Sequence, residues 1–263
     1  MGAWTSAVEP QASVDAGTGM HALVAELFPI HRSVTGPGVR ATLARLAEEV
    51  PLEVHEVPSG AEVLDWTVPP EWRLGDAYVA DLAGNRVIDV ADSTLHVVGH
   101  SGPVRARMAW RELRGRVHTL PERPGWIPYR IDWGREGWGF CMAHEEYVRL
   151  DAHPDREYEV VIDAELDRGG SLAWGEVVLP GETDREALVW THVCHPSLAN
   201  DGLSGLAVAT WLAKRLAGRP RRLTWRFVFA PATIGAIAWL AGNRHRVDRI
   251  DHGLVLACLG DRG

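Results

Sequence analysis

The alternation of strands and helices after residue 186 constrains the fold of this chain most strongly. Short apolar runs alternate there with segments whose apolar residues recur at helical spacing. The predicted order is strand, helix, strand, helix, strand, over residues 187–191, 203–216, 223–229, 233–243 and 253–259. This βαβαβ order is typical of a doubly wound, mostly parallel sheet with right-handed crossover connections. The sequence therefore predicts an α/β fold.

Residues 61–152 have a different pattern, which indicates a second domain. Short alternating runs are separated there by turn signals, and the part between residues 121 and 140 is rich in Pro, Gly and Trp. We predict a small β-rich domain inserted into a discontinuous α/β core, which comprises residues 1–60 and 153–263.

Two predictions follow from this division. The runs 159–166 and 171–179 are joined by Arg168-Gly169-Gly170, so we expect them to pair with each other within the core. Apolar residues at helical spacing predict a helix over residues 39–47. Since it precedes the insert, this helix should pack on the core sheet that forms after residue 187.

Composition and charge exclude several classes of protein. The chain has 27 basic and 35 acidic residues, a formal net charge of −8, which argues against a nucleic-acid surface and against an anionic-membrane binder. Three widely spaced cysteines suit a reducing compartment, and no apolar run is long enough to span a membrane. We therefore expect a cytoplasmic protein. Six of the 12 tryptophans lie between residues 66 and 138, where core packing is favoured over a sugar-stacking surface.

The last predicted strand, over residues 253–259, is apolar throughout, and no helix follows it in the sequence. A parallel sheet needs cover on both faces. We therefore expect this sequence to be a C-terminally truncated form of a longer protein, or one that depends on a partner such as a second copy of the chain.

Candidate ligand-binding residues lie where ligands bind in open α/β sheets, beyond the carboxyl ends of the parallel strands. His192, Cys194, His195 and Asp201 occupy the segment between the first strand and the first helix. Imidazole and carboxylate ligands within such a short reach suit Zn²⁺. The alternative is structural: Asp201 is also a good helix N-cap, His195-Pro196 a turn, and Cys194 a small buried hydrophobe. Asp261 follows the third strand at the same edge.

Six short motifs, in order along the chain, carry a resemblance to a known group of proteins. They are Arg32-Ser33-Val34-Thr35-Gly36, Asp65-Trp66-Thr67-Val68-Pro69, His118-Thr119-Leu120-Pro121, Ile127-Pro128-Tyr129-Arg130, Trp138-Gly139-Phe140-Cys141 and the segment from His192 to Gly205. The chain resembles a bacterial aminopeptidase-like family of the co-catalytic di-zinc exopeptidases, the leucyl aminopeptidase-like clan. Members of this family carry a small β-rich insert in a phosphorylase/hydrolase-like core.

The resemblance implies a site for one or two zinc ions. His192 or His195 would be the imidazole ligand, Asp201 the bridging carboxylate, and Asp261 would stand near a third carboxylate ligand. Catalytic members of the clan have a Glu-Glu pair where this chain has Ala232-Thr233. The first Glu is their general base, and alanine cannot accept a proton.

Two functions follow from these observations. The first is a zinc-dependent aminopeptidase-like hydrolase of small peptide or amide substrates, with hydrolysis impaired in this chain. The second is a non-catalytic binding module, in which the β-rich insert recognises a small molecule, a glycan or a protein partner. Ala232 is the residue that discriminates between them, because a fold alone does not establish an activity.

Overall fold

The computed structural model describes residues 10–133 and 137–260. The helices are α1 (Pro10–Leu27), α2 (Pro37–Ala47), α3 (Trp110–Leu113), α4 (His144–Asp151), α5 (Ser204–Ala217) and α6 (Ile234–Asn243). The strands are β1 (Glu53–Pro58), β2 (Glu62–Val63), β3 (Trp66–Thr67), β4 (Glu71–Asp81), β5 (Arg86–Asp89), β6 (Val104–Ala109), β7 (Val117–His118), β8 (Phe140–Cys141), β9 (Glu157–Asp167), β10 (Ser171–Leu179), β11 (Glu186–His192), β12 (Thr224–Ala230) and β13 (Ile250–Val255).

The core sheet is mixed, with strand order β1-β10-β12-β11-β13. The predicted βαβαβ unit is present, and β11 runs parallel to both β12 and β13. The prediction of a mostly parallel, doubly wound sheet is nevertheless wrong, because β10 is antiparallel to both β1 and β12. Parallel neighbours need a crossover of a dozen or more residues. Only residues 180–185 separate β10 from β11, so the chain reverses its direction there.

Both faces of the core sheet are buried at its central strand, β12. Phe227 and Phe229 of β12 pack with α1, α2 and α5 on one face. Val228 and Ala230, which alternate with them, pack with α6 on the other face. Helix α2 contributes Val39, Leu43 and Leu46 to the first cluster and contacts β10. The helix that precedes the predicted insert therefore contacts the core sheet at β10.

A second, antiparallel sheet has the strand order β5-β4-β9-β6. Strand β9 pairs along its length with β4 and β6, and it does not pair with β10. The predicted hairpin of residues 159–166 with 171–179 is therefore wrong, as is the assignment of residues 159–166 to the core sheet. Tyr158, Val160 and Ile162 of β9 bury their side chains in the core of the second sheet, which favours this non-local pairing. The division of the chain into a core and an inserted domain stays a prediction.

Strand β13 lies at the edge of the core sheet. Its residues Leu254 and Val255 are 51% and 68% exposed. The strand ends at Val255, earlier than residue 259. The Leu256 amide still donates to the Trp190 carbonyl at 2.8 Å, and the chain then leaves the sheet. In the part of the chain that the structure describes, no helix is both long and apolar enough to cross a membrane.

Candidate metal centre

The site begins at the carboxyl end of β11, which finishes at His192. In the parallel register, His192 lies opposite Ala230, the last residue of β12. The Val193 amide still donates to the Ala230 carbonyl at 3.1 Å, and the chain then turns away from the sheet. This pairing fixes the backbone that carries His192 and its neighbour His195. The His-rich segment therefore lies at the carboxyl edge of the parallel strands, and binding of a ligand there stays a prediction.

Three side chains converge at this edge. His192 Nε2 lies 2.9 Å from Asp201 Oδ1, and His195 Nδ1 lies 3.5 Å from the same oxygen. The two imidazole rings are 4.4 Å apart between centroids. One ligand atom from each of the three residues falls within 4.8 Å of the other two, a spacing that one metal ion can bridge. The structure thus brings His192, His195 and Asp201 together, and their role as ligands stays a prediction.

The two ring nitrogens that face Asp201 are buried without a hydrogen bond. His192 Nε2 and His195 Nδ1 have no hydrogen-bond partner in the described residues, although each lies close to the Asp201 carboxylate. A buried polar atom without a partner is costly unless something else satisfies it. Nitrogen lone pairs and a carboxylate oxygen that face one point are the donor set that Zn²⁺ takes. The residues present therefore fit a zinc ion.

The loop between Leu198 and α5 presents Asp201 to the histidines. Gly202 has φ of 113°, in the left-handed region that favours glycine. The residue at the N-cap of α5 is Leu203, and no side chain caps this helix. The structure therefore does not show the alternative in which Asp201 acts as a helix cap. The Asp201 side chain is 45% exposed, so the cluster is open to solvent on one side.

Arg32 binds the backbone of the loop that carries His195. Its side chain is buried, and its Nε donates to the His195 carbonyl at 2.9 Å while one terminal nitrogen donates to the Leu27 carbonyl at 2.7 Å. The other terminal nitrogen has no hydrogen-bond partner among the described residues. Burial lowers the pKa of Arg32 to about 10, so it stays charged at neutral pH.

Burial also sets the protonation of the neighbouring groups. Burial first, and then the neighbouring His192, hold the pKa of His195 below its ordinary value, which favours the neutral ring that a metal requires. Burial raises the pKa of the Cys194 thiol to about 11, and its Sγ accepts a hydrogen bond from the Ala232 amide at 3.2 Å. Cys194 therefore acts as a buried thiol in this structure. The Tyr129 ring packs edge-on against His195 at 4.9 Å.

The segment that follows β12 supplies no acid to the site. Ala232 lies beside Cys194 at the same edge of the sheet, and Thr233 precedes α6 with φ of 60°, an uncommon conformation for a β-branched residue. Neither residue carries a carboxylate. Asp261, the remaining predicted ligand, lies outside the described residues.

Arg32 and Tyr129 lie at the site, but the sequence analysis assigns no role to either of them. Both lie in motifs that carry the family resemblance, which is the only signal for them in the sequence. Arg32 is 163 residues away from the carbonyl that it binds, so no local pattern indicates the contact.

The fold is that of the zinc aminopeptidases and related peptidases. The chain is similar to a zinc aminopeptidase from Bacillus subtilis, with a TM-score of 0.63 at 12% identity over 92% of this chain and 69% of that one. It is also similar to a peptidase M28 precursor from Shewanella amazonensis, with a TM-score of 0.58 at 13% identity over 93% of this chain and 72% of that one. At these identities the likeness concerns the fold.

The chain belongs to the family described as domain of unknown function DUF4910, whose model matches residues 21–263. A Clostridium acetobutylicum protein, provisionally described as a polysaccharide biosynthesis protein with an aminopeptidase-like domain, is 45% identical over 96% of this chain and 57% of its own length. A crystal structure from the same organism, provisionally described as a peptidase, has a TM-score of 0.92 at 45% identity over 96% of this chain and 59% of that one. The chain therefore spans little more than half the length of these relatives.

Proposed function

We propose that this chain binds zinc through His192, His195 and Asp201 as the metal-binding part of an aminopeptidase-like hydrolase of peptide or amide bonds. The observation that carries the proposal is the pair of buried ring nitrogens that face one carboxylate and have no hydrogen-bond partner among the described residues. Histidines that serve only to pack the core usually have both ring nitrogens satisfied or exposed to water.

The fold and the relatives support the same function. Two relatives of this fold are a zinc aminopeptidase and an M28 peptidase by name, and the Clostridium relative is provisionally described as carrying an aminopeptidase-like domain. That relative's description also mentions polysaccharide biosynthesis, which favours an amide on a glycan precursor or a peptide as the substrate class.

The residues of the chain have distinct roles in this proposal. His192, His195 and Asp201 hold the ion, Arg32 fixes the backbone of the His195 loop, and Tyr129 excludes water from one side of the His195 ring. A zinc ion bound there supplies a Lewis acid that polarises a carbonyl group. Ala232 cannot take a proton from the attacking water, so we infer that hydrolysis by this chain is impaired.

Calorimetric titration with Zn²⁺ tests the metal site. We expect the wild-type chain to bind zinc, and the Asp201→Asn variant to bind it at least about tenfold more weakly, because a neutral amide is a poor zinc ligand. Asp184→Asn is the matched control, since Asp184 is exposed just before the opposite end of β11. Equal zinc affinity in the wild type and in Asp201→Asn would show that these residues do not hold the metal.

An assay with aminoacyl anilides, with and without zinc, tests the catalytic part of the proposal. We expect little turnover from the wild type, because loss of a general base typically lowers a rate by about 10²–10⁴. Ala232→Glu places a carboxylate at this edge and should raise the zinc-dependent rate. Wild-type turnover equal to that of the Bacillus subtilis zinc aminopeptidase, assayed in parallel, would show that Ala232 does not stand at the base position.

A further inference from the structure

A cavity in the β-rich part of the molecule lies apart from the metal cluster. Its volume is about 510 Å³, within the range of about 300–1,000 Å³ that is common for small-molecule sites. A smaller cavity of about 230 Å³ adjoins it, and the two share His100, Asp132, Gly137 and Trp138. None of the three candidate metal ligands lines either cavity.

Two fixed indole rings line the larger cavity. Trp133 packs against Trp66, with ring centroids 5.3 Å apart. Trp138 packs edge-on against Phe140 at 6.3 Å, and the guanidinium of Arg116 lies 5.1 Å from its ring centroid. These neighbours hold both rings in place, so the cavity has preformed aromatic walls. An indole offers a flat apolar face together with one N–H donor.

Two charged side chains that line the cavity have no partner among the residues that the structure describes. The side chains of Asp132 and Arg168 both line it, and neither forms a hydrogen bond or an ion pair in the part of the chain that the structure describes. Many other arginines of this chain, including the nearby Arg73, form ion pairs with carboxylates. One acceptor and one donor group are therefore free to bind a ligand.

His100 adds a third polar group to the wall. Its backbone has φ of 64°, which is uncommon for a residue other than glycine, and its ring stacks on Trp72 at 5.6 Å. Burial lowers its pKa to about 4, so the ring is neutral. Its Nε2 lies 3.5 Å from the Thr35 hydroxyl, which leaves Nδ1 to bind a ligand. A buried residue held in a rare conformation at a cavity wall is typical of functional sites.

We propose that this cavity binds a saccharide. A sugar ring has an apolar face of C–H groups that can stack on an indole. Its hydroxyls both donate and accept hydrogen bonds, so they can donate to Asp132, accept from Arg168 and bond with His100. A nucleotide fits less well, since the Asp132 carboxylate at the cavity would repel a phosphate. A purely apolar ligand would make no use of the Asp132 carboxylate or the Arg168 guanidinium, which are both exposed at the cavity.

The proposal is independent of the metal site, although one segment of the chain contacts both. Residues 129–133 form an extended segment that hydrogen-bonds to Gly99 through the Arg130 carbonyl and the Asp132 amide. Tyr129 at one end contacts His195, and Trp133 at the other end lines the cavity. The extended segment spans roughly 10–14 Å.

Fluorescence and calorimetric titrations of the full chain test the proposal. The probes are the methyl glycosides of glucose, galactose and N-acetylglucosamine, together with glucuronic acid. Adenosine monophosphate and a leucyl-glycine dipeptide serve as ligands of other classes. We expect saturable binding of at least one saccharide. Trp133→Leu and Arg168→Gln should each weaken that binding about tenfold.

Two control variants test whether a change in saccharide binding is specific to the cavity. Trp126→Leu should leave saccharide binding unchanged, because Trp126 is 62% exposed and lies outside both cavities. Asp201→Asn should also leave it unchanged, so failure of the metal proposal would not affect the result. The proposal is overturned if none of the saccharides binds saturably, if only the nucleotide or the dipeptide binds, or if Trp133→Leu and Arg168→Gln bind the saccharide as tightly as the wild type.

Discussion

Strand β11 carries a buried charged cluster near each of its ends, and the two clusters differ in how their polar atoms are satisfied. At its start, Glu186 binds the buried Arg226 through two hydrogen bonds of 2.8 and 3.1 Å. Arg226 also binds Glu176, which accepts a hydrogen bond from the Trp239 indole at 2.7 Å. At the other end of the strand, the ring nitrogens of His192 and His195 face Asp201 without forming a hydrogen bond.

This difference indicates a structural role for the cluster around Arg226 and a binding role for the cluster around Asp201. The cluster around Arg226 requires no added ion, because every charged group in it contacts a group of opposite charge. Burial opposes charging of Glu186, but the hydrogen bonds and charge of Arg226, together with the charges of Arg246 and Arg249, hold its pKa below the ordinary value. The unpaired cluster lies at the sheet edge, is open to solvent at Asp201, and fits an added cation. The same strand thus stabilises the fold at one end and presents ligands at the other.

Removal of the paired arginine should have the largest effect on stability. Arg226→Met leaves Glu176 and Glu186 buried without their partner, and we expect the free energy of unfolding to fall by about 3–5 kcal/mol. Urea denaturation measures this change. Arg168→Met is the matched control, since Arg168 is exposed and forms no ion pair within the described residues, and it should change the free energy of unfolding by no more than about 0.5 kcal/mol. A loss below 1 kcal/mol in Arg226→Met would contradict the structural role of the cluster.

A third group of buried polar residues should make stability depend on pH. His31 and His100 flank Trp72, with ring centroids 5.2 and 5.6 Å from it, and burial lowers the pKa of each to about 4, with a smaller contribution from Arg32 at His31. The unfolded chain binds protons below a pKa of about 6.5, whereas the folded chain does not, so stability falls as the pH falls. We expect a loss of about 2 kcal/mol per histidine between pH 7 and pH 5.

Urea denaturation at several pH values tests this expectation. His100→Asn keeps a residue that tolerates positive φ and removes one titrating ring. Its free energy of unfolding should therefore fall about half as far over the same range. If the variant loses as much stability as the wild type on acidification, His100 is not a neutral ring in the folded state.

Arg32→Lys should have a smaller effect, confined to the metal site. A lysine retains the charge but cannot donate to the His195 and Leu27 carbonyls with the same planar geometry. We expect zinc affinity to fall about tenfold, which is typical of groups that orient metal ligands. Arg45→Lys, on an arginine that pairs with Glu26 and Glu49 at the surface, is the control and should bind zinc like the wild type. Unchanged zinc affinity in Arg32→Lys would show that this arginine does not position the loop.

The sequence predicts those parts of the fold whose signals are local. Strands β11 and β12 and helices α5 and α6 follow directly from buried apolar runs and helical spacing. The pairing of β9 does not, because its partners β4 and β6 lie far away in the sequence, whereas β10 follows at once after a Gly-Gly turn. A local turn signal therefore led to the wrong partner, and burial of Tyr158, Val160 and Ile162 decides the pairing.

The candidate site shows the same limit. His192, His195 and Asp201 fall within ten residues after one strand, so their proximity could be predicted. The hydrogen bond of Arg32 to the His195 carbonyl could not, since it joins residues 163 positions apart. The cavity near Trp133 and Trp138 could not be predicted either, because the abundance of tryptophan in that part of the sequence favours core packing.

The effect of zinc on the free energy of unfolding tests the difference between the two clusters most directly. Zinc at a hundredfold excess over its dissociation constant should stabilise the wild type by about 2.7 kcal/mol. It should stabilise the His192→Ala variant far less, because that variant lacks one of the two unpaired nitrogens. Equal stabilisation of the wild type and His192→Ala, or none in the wild type, would contradict the account.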